Sequence, residues 1–550
     1  MKRFLWLGFV LFLDLICTGC GDTFRPIIIP NPPTFPNPAA AHTVVAINDN
    51  GTAVAGSAMV IDVSGDSTAS VADCSTPLCL GIAPVHAVQQ TASQVLVVNH
   101  SDSISKVSFS GIDMSSTTTI GLPPGSGPTF VAVAPNQTTA YVTLPNYVPD
   151  PIHFPNVVVP SVGVVSTLSN NLETTIPLSS NPSANPVILA ITPNNSKLYV
   201  ANEGDGTISG FNTIGPSERS GSPVHTSSPP IWLVARTDNQ RVYALEESTG
   251  VLAELDITAT AGPDLLTEYP SSYSVPGATT MVYDSNKNRL YIPGGPVMKV
   301  IDISQTPAQV LATIAIPSVP GVPAVPANAV AVTALPDGSS AYVASVPSAA
   351  ESSQAGISGI LGDGTTATYT YTLTGGHDLT PGLAVVVSGI APPNDGFNGT
   401  FVVESVSNSV PGTTCDQPTA ACTFQTANAT TVSQTAVTGV ASSTVDNLFP
   451  QVSVLNVASN FVTKTIGVPG FPDATNPNTA YYVPVCASTR FRFMMAAGGD
   501  SSRAYLSSCD GGNVDIIDTS TNTYIENLTA PASSRLNNPP QNPVYLFAGP

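Results

Sequence analysis

The string Lys197-Leu198-Tyr199-Val200-Ala201-Asn202, followed by Gly206-Thr207-Ile208-Ser209-Gly210-Phe211-Asn212, returns in degraded form along most of the chain. Arg289-Leu290-Tyr291-Ile292 leads to Lys299-Val300-Ile301-Asp302-Ile303, and Ala504-Tyr505-Leu506 leads to Asn513-Val514-Asp515-Ile516-Ile517-Asp518. A repeat of this kind is a supersecondary unit that cannot bury its own apolar face, so copies must stack. Each unit reads as four short strands: an apolar run such as Pro186 to Thr192, a turn at Pro193 to Ser196, the Tyr-Val strand, a Gly/Asp/Asn turn, a strand ending near Asp or Asn, and a more polar fourth strand. β-Branched residues are common and only 9% of residues are charged, which reads as all-β with many turns.

Units of this form centre on Leu96, Tyr141, Tyr199, Tyr243, Tyr291, Tyr342 and Tyr505. The two ends supply pieces of another: 43–48, 58–63 and 68–73 look like strands two, three and four, and 543–548 like strand one. A unit made from both ends is how a toroid closes and leaves no free edge. The expectation is an all-β closed β-propeller of four-stranded blades, eight by count, with seven as the alternative. Its parts are 42–347 and 448–550. Between them 348–447 interrupts the sixth internal unit with its own β pattern, at 367–374, 383–389, 399–406, 421–426 and 431–440. That stretch is too long for a structureless loop and predicts a small inserted β-domain, a sandwich or barrel, with a long decorated hairpin as the alternative.

The strand Tyr199-Val200-Ala201-Asn202, the segment Gly206-Thr207-Ile208-Ser209 and the stretch Asp518 to Thr523 resemble the YVTN-repeat β-propellers, over about 41–550 apart from the insertion. The resemblance implies a propeller fold, commonly seven-bladed, in an exported bacterial or archaeal protein. It brings no catalytic motif.

Lys2 and Arg3 precede an apolar run from Phe4 to Ile16, the pattern of a signal peptide over 1–19. At 1.5 Å per residue the run is too short for a bilayer core of about 30 Å. It ends Ile16-Cys17-Thr18-Gly19-Cys20, which resembles a bacterial lipobox and makes Cys20 the expected lipidation site; an ordinary cleaved signal is the plainer reading. Residues 20–41 carry six prolines (Pro26, Pro30, Pro32, Pro33, Pro36 and Pro38) and read as a stiff tether. The expected location is the bacterial cell envelope, with the lipid as the only membrane contact. The remaining cysteines form local couples, Cys74/Cys79, Cys415/Cys422 and Cys486/Cys509, one of 15 pairings open to six cysteines.

The formal charge of -20 repels phosphate backbones and argues against a nucleic-acid partner. None of His42, His86, His100, His153, His225 and His377 stands at metal-ligand spacing, no phosphate-cradling loop appears, and neither metal nor cofactor is expected. His86 falls on a first strand, where a propeller lines its channel, and reads first as a structural histidine. The stretch Asp510 to Asp515 is acidic but lacks calcium-loop spacing and reads as a tight turn. Arg490-Phe491-Arg492-Phe493 alternates cation and aromatic on what reads as the first strand of the last internal unit. On a strand that alternation would put Arg490 and Arg492 on one face, a candidate anion site at the channel mouth; pairing with carboxylates such as Asp500 is the plainer reading. The functional expectation is a non-enzymatic, monomeric, lipid-anchored propeller scaffold that binds a protein or a glycan. The alternative is a propeller enzyme such as a lactonase-like hydrolase.

Overall fold

The computed structural model describes residues 43–49, 55–72, 78–178, 182–260, 262–318, 326–347, 350–375, 379, 384–408, 422–446, 450–468, 486, 490–529 and 542–549. The expected signal peptide, Cys20 and the tether lie outside these residues. Among the described residues the chain is all-β, with one short 3-10 turn at Asp395–Phe397 and no helix long and apolar enough to cross a membrane.

Eight antiparallel sheets follow one another. The second pairs Pro84–Thr91, Gln94–Asn99, Ser103–Ser110 and Asp113–Gly121; the third Val131–Val133, Thr139–Leu144, Ser161–Ser166 and Asn171–Pro177. The fourth pairs Pro186–Ile191, Lys197–Asn202 and Thr207–Asn212, and its outer strand is split into Ser217–Glu218 and Val224–His225. The fifth pairs Pro230–Ala235, Arg241–Glu246, Leu252–Asp256 and Leu265–Glu268; the sixth Val282–Asp284, Arg289–Gly294, Val297–Asp302 and Gln309–Ala315. The seventh pairs Ala327–Ala334 and Ser340–Pro347 with Gln451–Asn456 and Phe461–Gly467, so it is interrupted in sequence. The eighth pairs Phe493–Ala497, Arg503–Ser508, Asn513–Asp518 and Thr523–Thr529. The first is built from both ends of the chain: Thr43–Asp49, Ser57–Asp62 and Ser67–Ala72 are joined by Asn542–Ala548, which pairs antiparallel with Thr43–Asp49.

Burial explains the sequence pattern. The middle strands are covered on both faces: Lys197–Asn202 is buried from Leu198 onward, and the tyrosines Tyr199, Tyr243, Tyr291, Tyr342 and Tyr505 are essentially inaccessible. A strand packed on both faces reads as a continuous apolar run. Outer strands such as Asn171–Pro177 alternate with solvent and are polar. Each pair of consecutive sheets shares one apolar cluster. Leu198, Val200 and Phe211 of the fourth sheet, for example, pack on Tyr141, Val162 and Val164 of the third. The series runs through the seventh and eighth sheets and ends with Val44, Met59 and Ile61 of the first against Tyr505, Val514 and Ile516 of the eighth.

The asparagine that ends the second strand is a polar rivet. Asn202 Nδ2 donates to Thr207 Oγ1 and Ser209 Oγ, both at 2.9 Å, and Asn99 Nδ2 does the same to Ser103 Oγ (3.1 Å) and Ser105 Oγ (3.0 Å). Asn thus locks the second strand to the third where the ladder ends. In the eighth sheet the place of Ser209 is taken by Asp515, fully buried, accepting from Asn513 Nδ2 at 3.1 Å. Burial pushes its carboxyl well above the usual range.

The insertion is a closed six-stranded barrel formed by Ala350–Asp363, Thr366–Gly375, Ala384–Ser388, Gly399–Asn408, Cys422–Ala427 and Thr431–Asp446. Its own core holds Tyr369, Tyr371, Phe397 and Phe424, with Tyr369 stacked on Phe424 at 4.6 Å. Five of these strands match the expected pattern. Ala350–Asp363 is additional to it, because a Gly- and Ser-rich sequence hides the alternation.

Candidate functional site

The first strands of the sheets bring side chains from far-apart sequence positions together. Phe491, just ahead of the eighth sheet, meets Tyr545 of the first sheet (5.1 Å between ring centroids), His86 of the second (6.3 Å) and Trp232 of the fifth (5.8 Å, edge on). His86 stacks on Phe130, which leads into the third sheet, at 3.8 Å and meets Tyr545 at 4.4 Å. Five sheets thus contribute to one aromatic floor. His86 is sealed in it, 3% exposed, with Nδ1 accepting from the Val131 amide at 3.4 Å. Burial, helped by the Arg490 charge, lowers its pKa to about 3, so the packed imidazole is neutral.

Beside this floor lies a polar mouth. It is made where first strands begin and second strands end, a shared edge given by the pairings Pro186 with Asn202 and Pro230 with Glu246. Arg490 Nη2 donates to the carbonyl of Ile231, and the guanidinium lies 5.9 Å from the Phe491 ring centroid. Solvent reaches the side chain, yet protein surrounds it: burial holds its pKa below the ordinary arginine value, with Glu203 and Glu247 opposing the fall. Glu203 follows Asn202 directly, and Glu247 follows Glu246, the residue in the same place on the fifth sheet.

Glu203 is held by its backbone. Its amide donates to Asn185 O (3.1 Å) and that of Gly204 to Ala184 O (2.9 Å), while Asn185 Nδ2 donates to Glu203 Oε2 at 3.1 Å. A Cβ at Gly204 would sit 1.9 Å from Ser183 O, so glycine alone permits this approach. Burial raises the Glu203 carboxyl; Arg490 counters it and Glu247 adds to it. Glu246 is buried, accepts from Ser227 Oγ (2.8 Å) and the Ser228 amide (2.9 Å), and is likewise raised by burial.

The two arginines of the sequence motif have separate partners. The first strand expected to carry both arginines begins only at Phe493, because the chain turns at 490–492, so Arg490 and Arg492 do not share a strand face. Arg492 Nε donates to Asp510 Oδ2, whose other oxygen accepts from the Cys486 amide at 2.9 Å. Asp500, the expected carboxylate, instead accepts from the Ser502 amide. Cys486 and Cys509 form a disulfide, packed among first- and second-sheet residues, which ties the segment leading to Arg490 onto the eighth sheet. Cys79 and Cys422 are also disulfide-bonded, but their expected partners Cys74 and Cys415 lie outside the described residues. Among the described residues no group of three or more His, Cys, Asp or Glu side chains is placed to hold a metal.

Sequence reasoning finds Arg490, Phe491 and His86 and misses Glu203, Glu247, Trp232, Phe130 and Tyr545. Glu203, Glu247 and Phe130 share a signal of register, since each stands at or just beyond the edge shared by a first and a second strand; Trp232 and Tyr545 lie inside first strands.

No protein-family model matches the chain, and no curated protein resembles it significantly. Solved structures that are similar include AztD of Citrobacter koseri (9% identity, 92% of this chain and 98% of that chain, TM-score 0.48). They also include the dihydro-heme d1 dehydrogenase NirN (9% identity, 95% and 79%, TM-score 0.48) and the periplasmic gluconolactonase PpgL of Pseudomonas aeruginosa (11% identity, 61% and 95%, TM-score 0.40). At these values the likeness says nothing about a ligand. The propeller-like fold rests on the four-stranded sheets themselves.

Proposed function

We propose that the eight sheets are the blades of one closed YVTN-type β-propeller, and that the protein is an exported, lipid-anchored scaffold binding a protein or glycan at the mouth around Arg490. The carrying observation is the aromatic floor. It packs rings from five sheets against one another and buries His86, while Arg490 beside it is exposed and bonded through one guanidinium nitrogen to the Ile231 carbonyl. Closure is supported by the pairing of Asn542–Ala548 with Thr43–Asp49 and by the apolar cluster shared between first and eighth sheets.

The test is capture from envelope extract by the processed protein against an Arg490→Met variant of equal melting temperature. Identical recovery by both would remove the mouth from the reading. Anchoring is tested separately: a Cys20→Ser protein that still partitions with membranes after signal removal would contradict lipidation. The enzymatic reading has one observation behind it, the raised carboxyl of Glu203 beside Arg490. Lactone or ester turnover abolished by Glu203→Gln would make it the better account.

A further inference from the structure

We infer that the protein lies on a bilayer surface with the tether edge of its sheets down, touching lipid through apolar side chains at the turns between third and fourth strands. The inference rests on the lipid anchor proposed above. Register places that edge. Thr43, which directly follows the expected tether, pairs with Asp62 at the end of a third strand. The tether therefore leaves beside the turn between third and fourth strands of the first sheet. In other sheets, too, the start of the second strand pairs with the end of the third: Thr139 with Ser166, Lys197 with Asn212 and Ser340 with Asn456. Bonds between sheets put these edges on one side. Arg503, which opens the second strand of the eighth sheet, donates to both Asp66 oxygens in the first-sheet turn, at 2.6 and 2.7 Å. Arg289 of the sixth sheet reaches Val457 O in the seventh-sheet turn at 2.7 Å, and Lys197 of the fourth reaches Ala259 O in the fifth-sheet turn at 3.1 Å.

These turns expose large apolar side chains. Ile112, Leu168 and Ile214 occupy them in three consecutive sheets, the second to the fourth, and Leu265 and Phe461 open the fourth strands of the fifth and seventh; all five are between 38% and 86% exposed. Lys106 donates to Thr167 O at 2.7 Å in the turn that carries Leu168, just as Lys197 and Arg289 hold the turns before Leu265 and Phe461. The turns are thus fixed, and the cations that fix them are engaged with backbone. Among the described residues of the eight sheets, the other exposed large apolar side chains are Leu311 and Ile525, within fourth strands, and Ile152, Phe154 and Val157 of the loop joining Thr139–Leu144 to Ser161–Ser166. That loop hangs from the opposite edge, where second strands end. The tether decides between the two edges, because it leaves from the first. One side chain per sheet, without a basic cluster, is too little to anchor the chain; it orients a body that the lipid already holds. It also turns the mouth around Arg490, where second strands end, away from the membrane.

Tryptophan reporters read the contact. The processed, lipidated protein keeps Trp232 alone, since Trp6 leaves with the signal segment, and sets the baseline. Ile214→Trp, Leu168→Trp and Phe154→Trp proteins of matched melting temperature would be reconstituted into phosphatidylcholine vesicles with plain or brominated acyl chains. The added emission of Ile214→Trp and Leu168→Trp should fall at least about twofold in brominated vesicles, and that of Phe154→Trp should not change. Ile112→Asp with Leu168→Asp should at least halve the quenching of Ile214→Trp; unchanged quenching would mean that the tether alone holds this edge near lipid, which overturns the apolar contact. Flotation with the vesicles but no quenching at either turn, or quenching of Phe154→Trp instead, overturns the inference and leaves the lipid anchor standing. A processed protein that does not float with the vesicles removes the anchor and the inference together.

Discussion

Replacing Asp264 with alanine should cost about 3–5 kcal/mol, the range for removing one partner of a buried ion pair. Asp264 lies just ahead of the outer strand of the fifth sheet, and Arg219 belongs to the outer edge of the fourth. Arg219 Nε and Nη2 donate to the two Asp264 oxygens at 2.8 Å each, and Tyr199 OH donates to Oδ2 at 2.8 Å. The side chains are 3% and 6% exposed. In Asp264→Ala the guanidinium keeps only Asn212 Oδ1 (3.2 Å) and Ala259 O (2.9 Å), both neutral, so a cation stays buried without a counter-charge. The Tyr199 hydroxyl also loses its acceptor. By contrast, Arg219→Met with Asp264→Leu should be close to neutral, because it removes the desolvation cost with the attraction. Urea unfolding followed by Trp232 emission would measure both, with a double-mutant cycle giving the coupling. A loss below about 1 kcal/mol in Asp264→Ala, at unchanged denaturant slope, would refute the claim that this pair pins the two sheets.

Asp515→Asn should stabilise the protein at neutral pH. A raised folded pKa means stability is fully present below the unfolded value of about 3.9 and is lost as pH climbs from there toward the folded value, at about 1.4 kcal/mol for each step of one in pH. The melting difference from wild type should therefore grow as pH rises above about 4, and a constant difference would count against it. Cys486→Ser with Cys509→Ser removes a cross-link over 23 residues and should cost about 3 kcal/mol in the chain-entropy model; thermal melting measures this. Replacing 348–447 by a short Gly/Ser turn should leave the melting of the eight sheets nearly unchanged, because Ser340–Pro347 and Gln451–Asn456 are paired neighbours. Circular dichroism of the shortened protein checks this, and loss of cooperative melting would show that the barrel supports the seventh sheet.

Much of the fold is legible in the sequence because it is local. Alternation, turn residues and the Tyr-Val strand repeat within each unit, and even the strands at the ends fall where expected, at Thr43–Asp49 and Asn542–Ala548. What escapes is either irregular or collective. Ala350–Asp363 is hidden because glycines and serines replace its apolar partners, although it pairs along almost all of Thr431–Asp446. The outer strand of the fourth sheet breaks in two around Arg219, where the backbone turns inward to reach Asp264. The candidate site is barely legible. Phe491, Tyr545, Trp232 and His86 are ordinary apolar or structural residues taken singly, and their rings meet only because separate sheets are packed side by side.

The pairing of Val44 with Ala548 also sets an order of events during folding. Every other sheet can assemble from a contiguous or once-interrupted stretch, but the first must wait for the far end of the chain. Until those residues arrive, Thr43–Asp49 presents an unsatisfied edge, and the largest possible loop has to close to cover it, which raises contact order and slows the final step. Late folding intermediates should thus be nearly complete arrays, competent in packing yet open at one seam and prone to pairing with another copy of themselves.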